Sequence, residues 1–280
     1  MNSILKICSL TACLLSAYEY AAACPDIGRL PDVNCDGSAT IVVIGDSLVS
    51  GTGDTKNGGK GGYVLRTQEY FTEGTVANHG EPGLRTPTLI KIVRKAFSNP
   101  ATTPLAQDLI AADLVVLDVG RNDRWFFGLP TTTVRNLKRV RTMIGEEVTK
   151  ITGNTPLIVT AVLMYPNRGS QGPWVKELDN LIANSDSEQY PADIRFDKVS
   201  KKLLSSDNIH PTPKGYAAMA EVFIKYLLKD YRAHIDNLRK DSDNDGIFDI
   251  YERAKFGTDP ANPDTDGDGM KDGIDPSPAG

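Results

Sequence analysis

Between Thr40 and about Tyr231, short runs of apolar, often β-branched residues alternate with longer amphipathic stretches, and that alternation limits the fold more than any other feature. A short apolar run suits a strand buried on both faces. Parallel strands need a crossover of a dozen or more residues between them, which the amphipathic stretches supply as helices. The strands expected are Thr40–Ile44, Val76–Asn78, Leu114–Asp118, Leu157–Val162 and Asp193–Phe196. The helices expected are Gly62–Phe71, Pro87–Phe97, Thr132–Thr152, Pro173–Ala183 and Pro213–Tyr231, several opened by Thr or Pro as helix starts commonly are. The pattern predicts an α/β, three-layer, doubly wound sandwich around a parallel sheet. In such sheets ligands sit beyond the carboxyl ends of the strands, so chemistry belongs in the loops that follow them.

The N-terminus follows a different rule. One cation, Lys6, precedes an apolar run from Ile7 to Ala17 and then Ala21-Ala22-Ala23, the form of a secretory signal with a small-residue cleavage site. Residues 1–23 are therefore expected to be a signal peptide, followed by an N-terminal segment over 24–39 and the α/β domain over 40–232. The apolar run is too short to remain as a membrane span, which needs roughly 20 residues. The expected location is secreted, periplasmic or at the cell surface. Cleavage leaves Cys24 and Cys35, which can close a disulfide in an oxidising compartment. Ala-Ala-Ala-Cys24 and Leu10-Thr11-Ala12-Cys13 also resemble lipid-attachment boxes, and the sequence leaves both readings open.

Charge is segregated toward the other end. Residues 241–280 hold 11 Asp/Glu against 3 Lys/Arg, while the whole chain has a net charge of only -5. Such a balance argues against a nucleic-acid partner, which would need a basic stripe. Residues 233–240 are polar and are expected to be a linker, after which Asp, Gly, Asn and Pro dominate and cannot build an ordinary core.

The first strand ends in Gly45-Asp46-Ser47-Leu48, which sets a serine at its carboxyl end; the second glycine of a G-x-S-x-G elbow is absent. A serine nucleophile needs a base, and the chain has three histidines, His79, His210 and His234. His210 is the best placed, because Asp207 lies three residues upstream, close enough to accept its Nδ1–H and leave Nε2 free for the serine proton. Donors for a developing oxyanion are offered by the backbone at Gly80 and the amide of Asn122, in the loops after the second and third strands. A competing reading makes Asp46, Asp118, Asp123, Asp207, His79 and His210 ligands of a hydrolytic metal, although no close pair has a recognised spacing.

Gly45-Asp46-Ser47-Leu48, Gly80, Gly120-Arg121-Asn122-Asp123 and Asp207-Asn208-Ile209-His210 resemble the four sequence blocks of the SGNH (GDSL) hydrolase family, in the family's order. The resemblance implies a flavodoxin-like sandwich and ester hydrolysis through an acyl-enzyme that needs no cofactor for its chemistry. It implies Ser47 as nucleophile, His210 as base and Asp207 as its orienter, with an oxyanion hole from the Ser47 and Gly80 N–H groups and the Asn122 side chain. Acetylated polysaccharide and acyl lipid are the two substrate classes that remain open. Trp174 could stack against a sugar or could simply pack, and the loops Asn57–Lys60 and Asn167–Trp174 are candidates to border the site.

In the acidic tail, Asp241-Ser242-Asp243-Asn244-Asp245-Gly246 followed by Glu252 reproduces the D-x-D-x-D-G-x5-E calcium loop. Side chains of Asp241, Asp243, Asp245, Asp249 and Glu252 and the carbonyl of Ile247 are the expected ligands. A second copy offers Asp264, Asp266, Asp268, Asp272 and Asp275 with the Met270 carbonyl. The fragment from Asp32 to Gly37 begins like such a loop but has Val43 at the twelfth place, and is read as a turn. The tail resembles bacterial thrombospondin type-3 repeats, which implies structural calcium and a stiffened spacer or surface-attachment element. A function of another class also stands: a calcium-dependent adhesion or scaffold protein whose α/β domain only binds.

Overall fold

The computed structural model describes residues 24–59, 61–126, 128–167, 171–185 and 194–280. The expected signal peptide, and residues Lys60, Arg168, Gly169, Ser170 and Asp193 of the expected loops and fifth strand, lie outside that set. The chain divides into two compact units, Asp26–Arg232 and a second that contains Ala233–Gly280.

The first unit is built on four parallel strands in the order β2-β1-β3-β4, with β1 Thr40–Gly45, β2 Thr75–Gly80, β3 Leu114–Asp118 and β4 Leu157–Thr160. Every residue of β1 and β3 is buried, as central strands covered on both faces must be. Val42, Ile44, Val115, Leu117 and Ile158 share one core with helices α3 Thr86–Ser98, α4 Pro104–Ile110, α5 Pro130–Thr152 and α6 Gln171–Ser185. Side chains alternate along a strand, so Ile41, Val43 and Val116 face the other way. There α2 Gly62–Tyr70 packs against α7 Pro213–Tyr226, and Tyr63 lies 4.8 Å from the ring of Phe196 and 5.8 Å from that of Phe223. The result is an α/β/α sandwich.

Proline in the first turn opens α3, α4, α5 and α7, and Gly153 at a left-handed φ of 80° closes α5. Among the described residues of the expected fifth strand, pairing is limited to one parallel bridge between Val162 and Arg195. Phe196 then enters a 3-10 turn, so no ladder propagates beyond that pair. Helix α4 was not foreseen, because its seven residues give too short a pattern to separate from a loop. The helix that begins at Pro213 does not stop at Tyr231: a π turn over Leu227–Tyr231 leads into α8, Arg232–Leu238, so most of the stretch read as a linker is helical.

Cys24 and Cys35 are both disulfide-bonded, which takes the sulfur that lipid attachment at Cys24 would need. The turn from Asp32 to Ser38 is held by side chains at every second residue. Asp32 accepts from Gly37 N–H at 2.9 Å, Asn34 from Asp36 N–H at 3.0 Å and Asp36 from Ser38 N–H at 2.9 Å. Asp113, at the foot of β3, accepts from the N–H groups of Val33, Asn34 and Thr40 and ties this turn to the sheet; burial nevertheless pushes its carboxyl up to about 7.

Candidate active site

β1 delivers Ser47 to the carboxyl edge of the sheet. Gly45 is the last strand residue, and a Cβ there would stand 2.4 Å from the Asp118 carbonyl oxygen and 2.3 Å from Val49, so only glycine lets the chain turn at this point. Asp46 then caps a one-turn helix, α1 Ser47–Ser50, its carboxylate accepting from Leu48 N–H at 3.1 Å. Ser47 is the first residue of that turn and is 9% exposed.

His210 comes from the loop that enters α7, whose N-cap Thr212 accepts from Gly215 N–H at 3.2 Å. Asp207 shapes this loop. One of its oxygens accepts from Ser205 Oγ at 2.8 Å, Ile209 N–H at 2.8 Å and His210 N–H at 2.9 Å. The other lies 2.6 Å from His210 Nδ1. Burial works to raise the Asp207 carboxyl, but the His210 contact and the N–H and O–H donors outweigh it and hold it well below the usual carboxylate range. On the far side of the ring, His210 Nε2 stands 3.0 Å from Ser47 Oγ. Residues 163 positions apart thus form one hydrogen-bonded line of hydroxyl, imidazole and carboxylate. Tyr216 on α7 donates to the Thr52 carbonyl at 2.8 Å, which ties the histidine's helix to the serine's loop.

Two of the three expected oxyanion donors, the Gly80 N–H and the Asn122 amide, already have partners within the protein. A Cβ at Gly80 would stand 2.1 Å from Ser50 N, so the end of α1 rests directly on the end of β2. The Gly80 N–H donates to Asn78 Oδ1 at 2.9 Å, and Asn78 in turn donates to the Val49 carbonyl at 2.8 Å. The Asn122 amide donates to the Leu84 carbonyl at 3.1 Å and to Asp46 at 3.3 Å. An incoming oxygen would share these donors with the protein's own acceptors.

Sequence reading missed what lies beneath. Arg121 is 2% exposed and donates to Asp46 at 2.6 Å and to Asp118 at 2.5 Å, while the other Asp118 oxygen accepts from Tyr63 OH at 3.0 Å. Burial opposes the guanidinium charge, but Asp118 and Asp46 prevail and hold Arg121 above its ordinary value. The capping residue of the serine's turn is thereby fixed to the end of β3. A charged residue directly after Gly120, in the loop that follows β3, was the available signal, and nothing in its sequence neighbours indicates burial.

The residues of the competing metal reading have other partners. His79 is held 2.6 Å from Asp108; Asp123 accepts from Thr86 N–H at 2.9 Å, from the Thr86 hydroxyl and from Thr133 Oγ1 at 2.8 Å. Trp174 is buried and donates to the Gly128 carbonyl at 3.0 Å, so it packs under a loop and offers no face to a sugar.

The tail forms two loops with the same internal bonding, 23 residues apart. Asp241 accepts from Asn244 and Gly246 N–H, Asp243 from Asp245 N–H and Asp245 from Ile247 N–H. Asp264, Asp266 and Asp268 repeat this on Gly267, Gly269, Asp268 and Met270. In each loop the three aspartates offer carboxylate oxygens within 4.8 Å of one another. Asp249 is turned to Ser242 N–H and Oγ and Lys240, Asp272 to Thr265 N–H and Oγ1, and Asp275 to Ser277 N–H. Glu252 is fully buried and accepts from Thr258 at 3.2 Å. Burial, with Asp243, Asp245 and Asp249 nearby, pushes it up to about 7. Asp243 Oδ2, Asp245 Oδ2 and Glu252 Oε2 are buried with no hydrogen-bond partner among the described residues. All-oxygen donors with orphaned carboxylates fit a hard cation such as calcium.

A doubly wound sheet with serine, histidine and aspartate aligned beyond its strand ends is the frame of a carboxylic ester hydrolase. The GDSL-like lipase/acylhydrolase family model matches residues 43–218, and the chain belongs to that family. The bacterial TSP3 repeat matches residues 241–263 and 264–274. No curated protein matches the chain. Among solved structures, a member of the lipolytic G-D-S-L family from Veillonella parvula is 15% identical with a TM-score of 0.52, covering 69% of this chain and 100% of that one. A carbohydrate esterase family 3 structure from Talaromyces cellulolyticus and an acetyl esterase variant with an acetate ion are each 13% identical with a TM-score of 0.50, covering 70% of this chain and 99% of theirs. At these identities the likeness is one of fold.

Proposed function

We propose that the chain is an exported serine esterase in which Ser47 is the nucleophile, His210 the general base and Asp207 the group that orients it. The observation that carries this reading is the unbroken line from Ser47 Oγ to His210 Nε2 at 3.0 Å and from Nδ1 to Asp207 at 2.6 Å. As Ser47 Oγ attacks the ester carbonyl, Nε2 takes its proton, and the ionised Asp207 stabilises the imidazolium that forms. The same proton then passes to the departing alcohol. Water, deprotonated by His210, releases the acid and restores the serine. The Ser47 and Gly80 N–H groups and the Asn122 amide are the donors for the oxyanion, which must compete with Asn78 Oδ1 and the Leu84 carbonyl for them.

Acetyl esters of carbohydrate are the substrates to try first, since two of the solved neighbours carry acetyl or carbohydrate esterase names; acyl lipids are the second class. The tail serves as a calcium-ordered spacer, supported by the two like-bonded loops and the match to bacterial TSP3 repeats. Export is supported by the form of residues 1–23; no helix among the described residues is long and apolar enough to cross a membrane. Hydrolysis of p-nitrophenyl acetate by the full chain and by Ser47→Ala tests the enzyme reading. The wild type should turn over and the variant fall to background; equal rates would remove Ser47 from the reaction.

A further inference from the structure

We propose that Asp54 and Arg66 form a positioning pair for the esterase: they hold the segment that lies between nucleophile and base, and so set the approach of Ser47 Oγ to His210 Nε2. The inference rests on the serine esterase reading. Residues 51–54 run from the Gly51 cap of the serine's turn to the flank of the histidine. Thr52 N–H donates to the Ser47 carbonyl at 2.9 Å, and the Thr52 carbonyl accepts from Tyr216 OH on α7 at 2.8 Å. Gly53 follows at a left-handed φ of 83°, and the Cβ it lacks would stand 4.0 Å from His210 Cβ. A shift of this short segment would therefore be felt at Ser47 and at His210 together.

Asp54 anchors the far end of the segment. Its side chain is fully buried, and its N–H donates to the Gly51 carbonyl at 3.0 Å. One carboxylate oxygen accepts from Lys56 N–H at 3.2 Å and from Arg66 Nη2 at 3.1 Å; the other accepts from Gly62 N–H at 2.8 Å and from Arg66 Nη1. Burial works to raise this carboxyl, but Arg66 and the N–H donors outweigh it and hold it below its ordinary value. Two parallel bonds from one guanidinium fix direction as well as distance, which a lysine ammonium cannot do. The guanidinium also reaches further: Nη1 donates to the Gly62 carbonyl at 2.9 Å, and Nη2 lies 3.5 Å from the carbonyl of Pro213, three residues past His210. The pair thus joins the serine's segment to the starts of α2 and α7. His210 and Asp207 gain from such a tie, because their side chains are 22% and 44% exposed and Asp207 is bonded within its own loop. Bonds inside one loop orient the ring without fixing that loop's distance from Ser47. Lys56 and Glu69 supply a comparison, since they pair the same loop with α2 at the exposed surface, where an ion pair contributes little.

Hydrolysis of p-nitrophenyl acetate by the full chain tests the pair in two variants, with rates referred to the folded fraction measured by circular dichroism. Arg66→Lys keeps a charge beside Asp54, and the double variant Asp54→Asn, Arg66→Met strands no charge in the interior. A misplacement of about 1 Å can cost about 10²-fold, so kcat should fall by about 10- to 10²-fold in both variants while KM stays within about twofold. Labelling of Ser47 by a fluorophosphonate should slow in proportion. Glu69→Gln should keep kcat within about twofold of the wild type. A kcat within about twofold of the wild type in either positioning variant, or an equal loss in Glu69→Gln, would overturn the role of the pair and leave the esterase reading in place. No hydrolysis by the wild type would overturn the esterase reading itself.

Discussion

Replacing Arg121 by methionine removes a buried cation that faces both Asp46 and Asp118. Methionine fills much of the volume, so the loss is chiefly electrostatic. Removing one partner of a buried ion pair costs about 3–5 kcal/mol. A second route gives the same scale: if a stranded carboxylate escapes by taking up a proton at pH 7, a group of ordinary pKa near 3.9 requires about 4 kcal/mol. Two carboxylates are stranded here, so about 4 kcal/mol is the lower end. For a domain of this size, each kcal/mol moves the melting temperature by about 2–4 °C, which predicts a drop of at least about 8 °C. The folded variant's carboxyls would have raised pKa values, so the fold would bind more protons than the unfolded chain between the two pKa values. Its deficit must therefore shrink as pH falls from 7 toward 4. Urea and thermal unfolding of the full chain at pH 5 and pH 7 measure both effects, and the triple variant Asp46→Asn, Asp118→Asn, Arg121→Met should recover most of the loss. A deficit under about 1 kcal/mol at pH 7, or one that does not diminish at pH 5, would refute the reasoning.

Other consequences can be checked more briefly. Asn122→Ala should lower kcat on p-nitrophenyl acetate by about 10²–10³-fold, the usual cost of one oxyanion donor, and an unchanged kcat would remove Asn122 from that role. Burial pushes Asp179 up to about 8, above its unfolded value. The domain should thus lose stability as pH rises from about 4 to about 8, with a slope of up to about 1.4 kcal/mol per pH unit from this group. Asp179→Asn should flatten that slope, read by denaturant midpoints across the range; an equal slope in both proteins would show that Asp179 is not its source. Chelation of calcium should expose the amides of residues 241–280 to rapid hydrogen exchange while esterase activity stays within about twofold, because metal order and hydrolase chemistry reside on different parts of the chain. A parallel collapse of activity would contradict that separation.

The two central strands, β1 and β3, could be read from the sequence because they are apolar, β-branched runs buried on both faces, a pattern with few alternatives. Leu114–Asp118 and the start of β1 were placed to the residue. The edge of the sheet was harder: at Arg195 a single bridge takes the place of the expected strand, and whether a short run pairs is decided by tertiary contact. Ser47, His210 and Asp207 stood out because nucleophile chemistry restricts residue types severely and only three histidines compete. Arg121 and Asn78 did not, since their importance lies in partners 75 and 29 residues away. In the tail the loop spacing was legible, but the close packing of Gly273 on the Asp245 carbonyl appears only once the loops are stacked.

The nucleophile assignment is tested most directly by treating the full chain with a fluorophosphonate and mapping the adduct by peptide mass spectrometry. One equivalent should attach to the peptide that contains Ser47, at a rate sharply reduced in His210→Ala, and Ser47→Ala should remain unlabelled. Labelling of a different residue, or equal labelling of Ser47→Ala, would contradict the account.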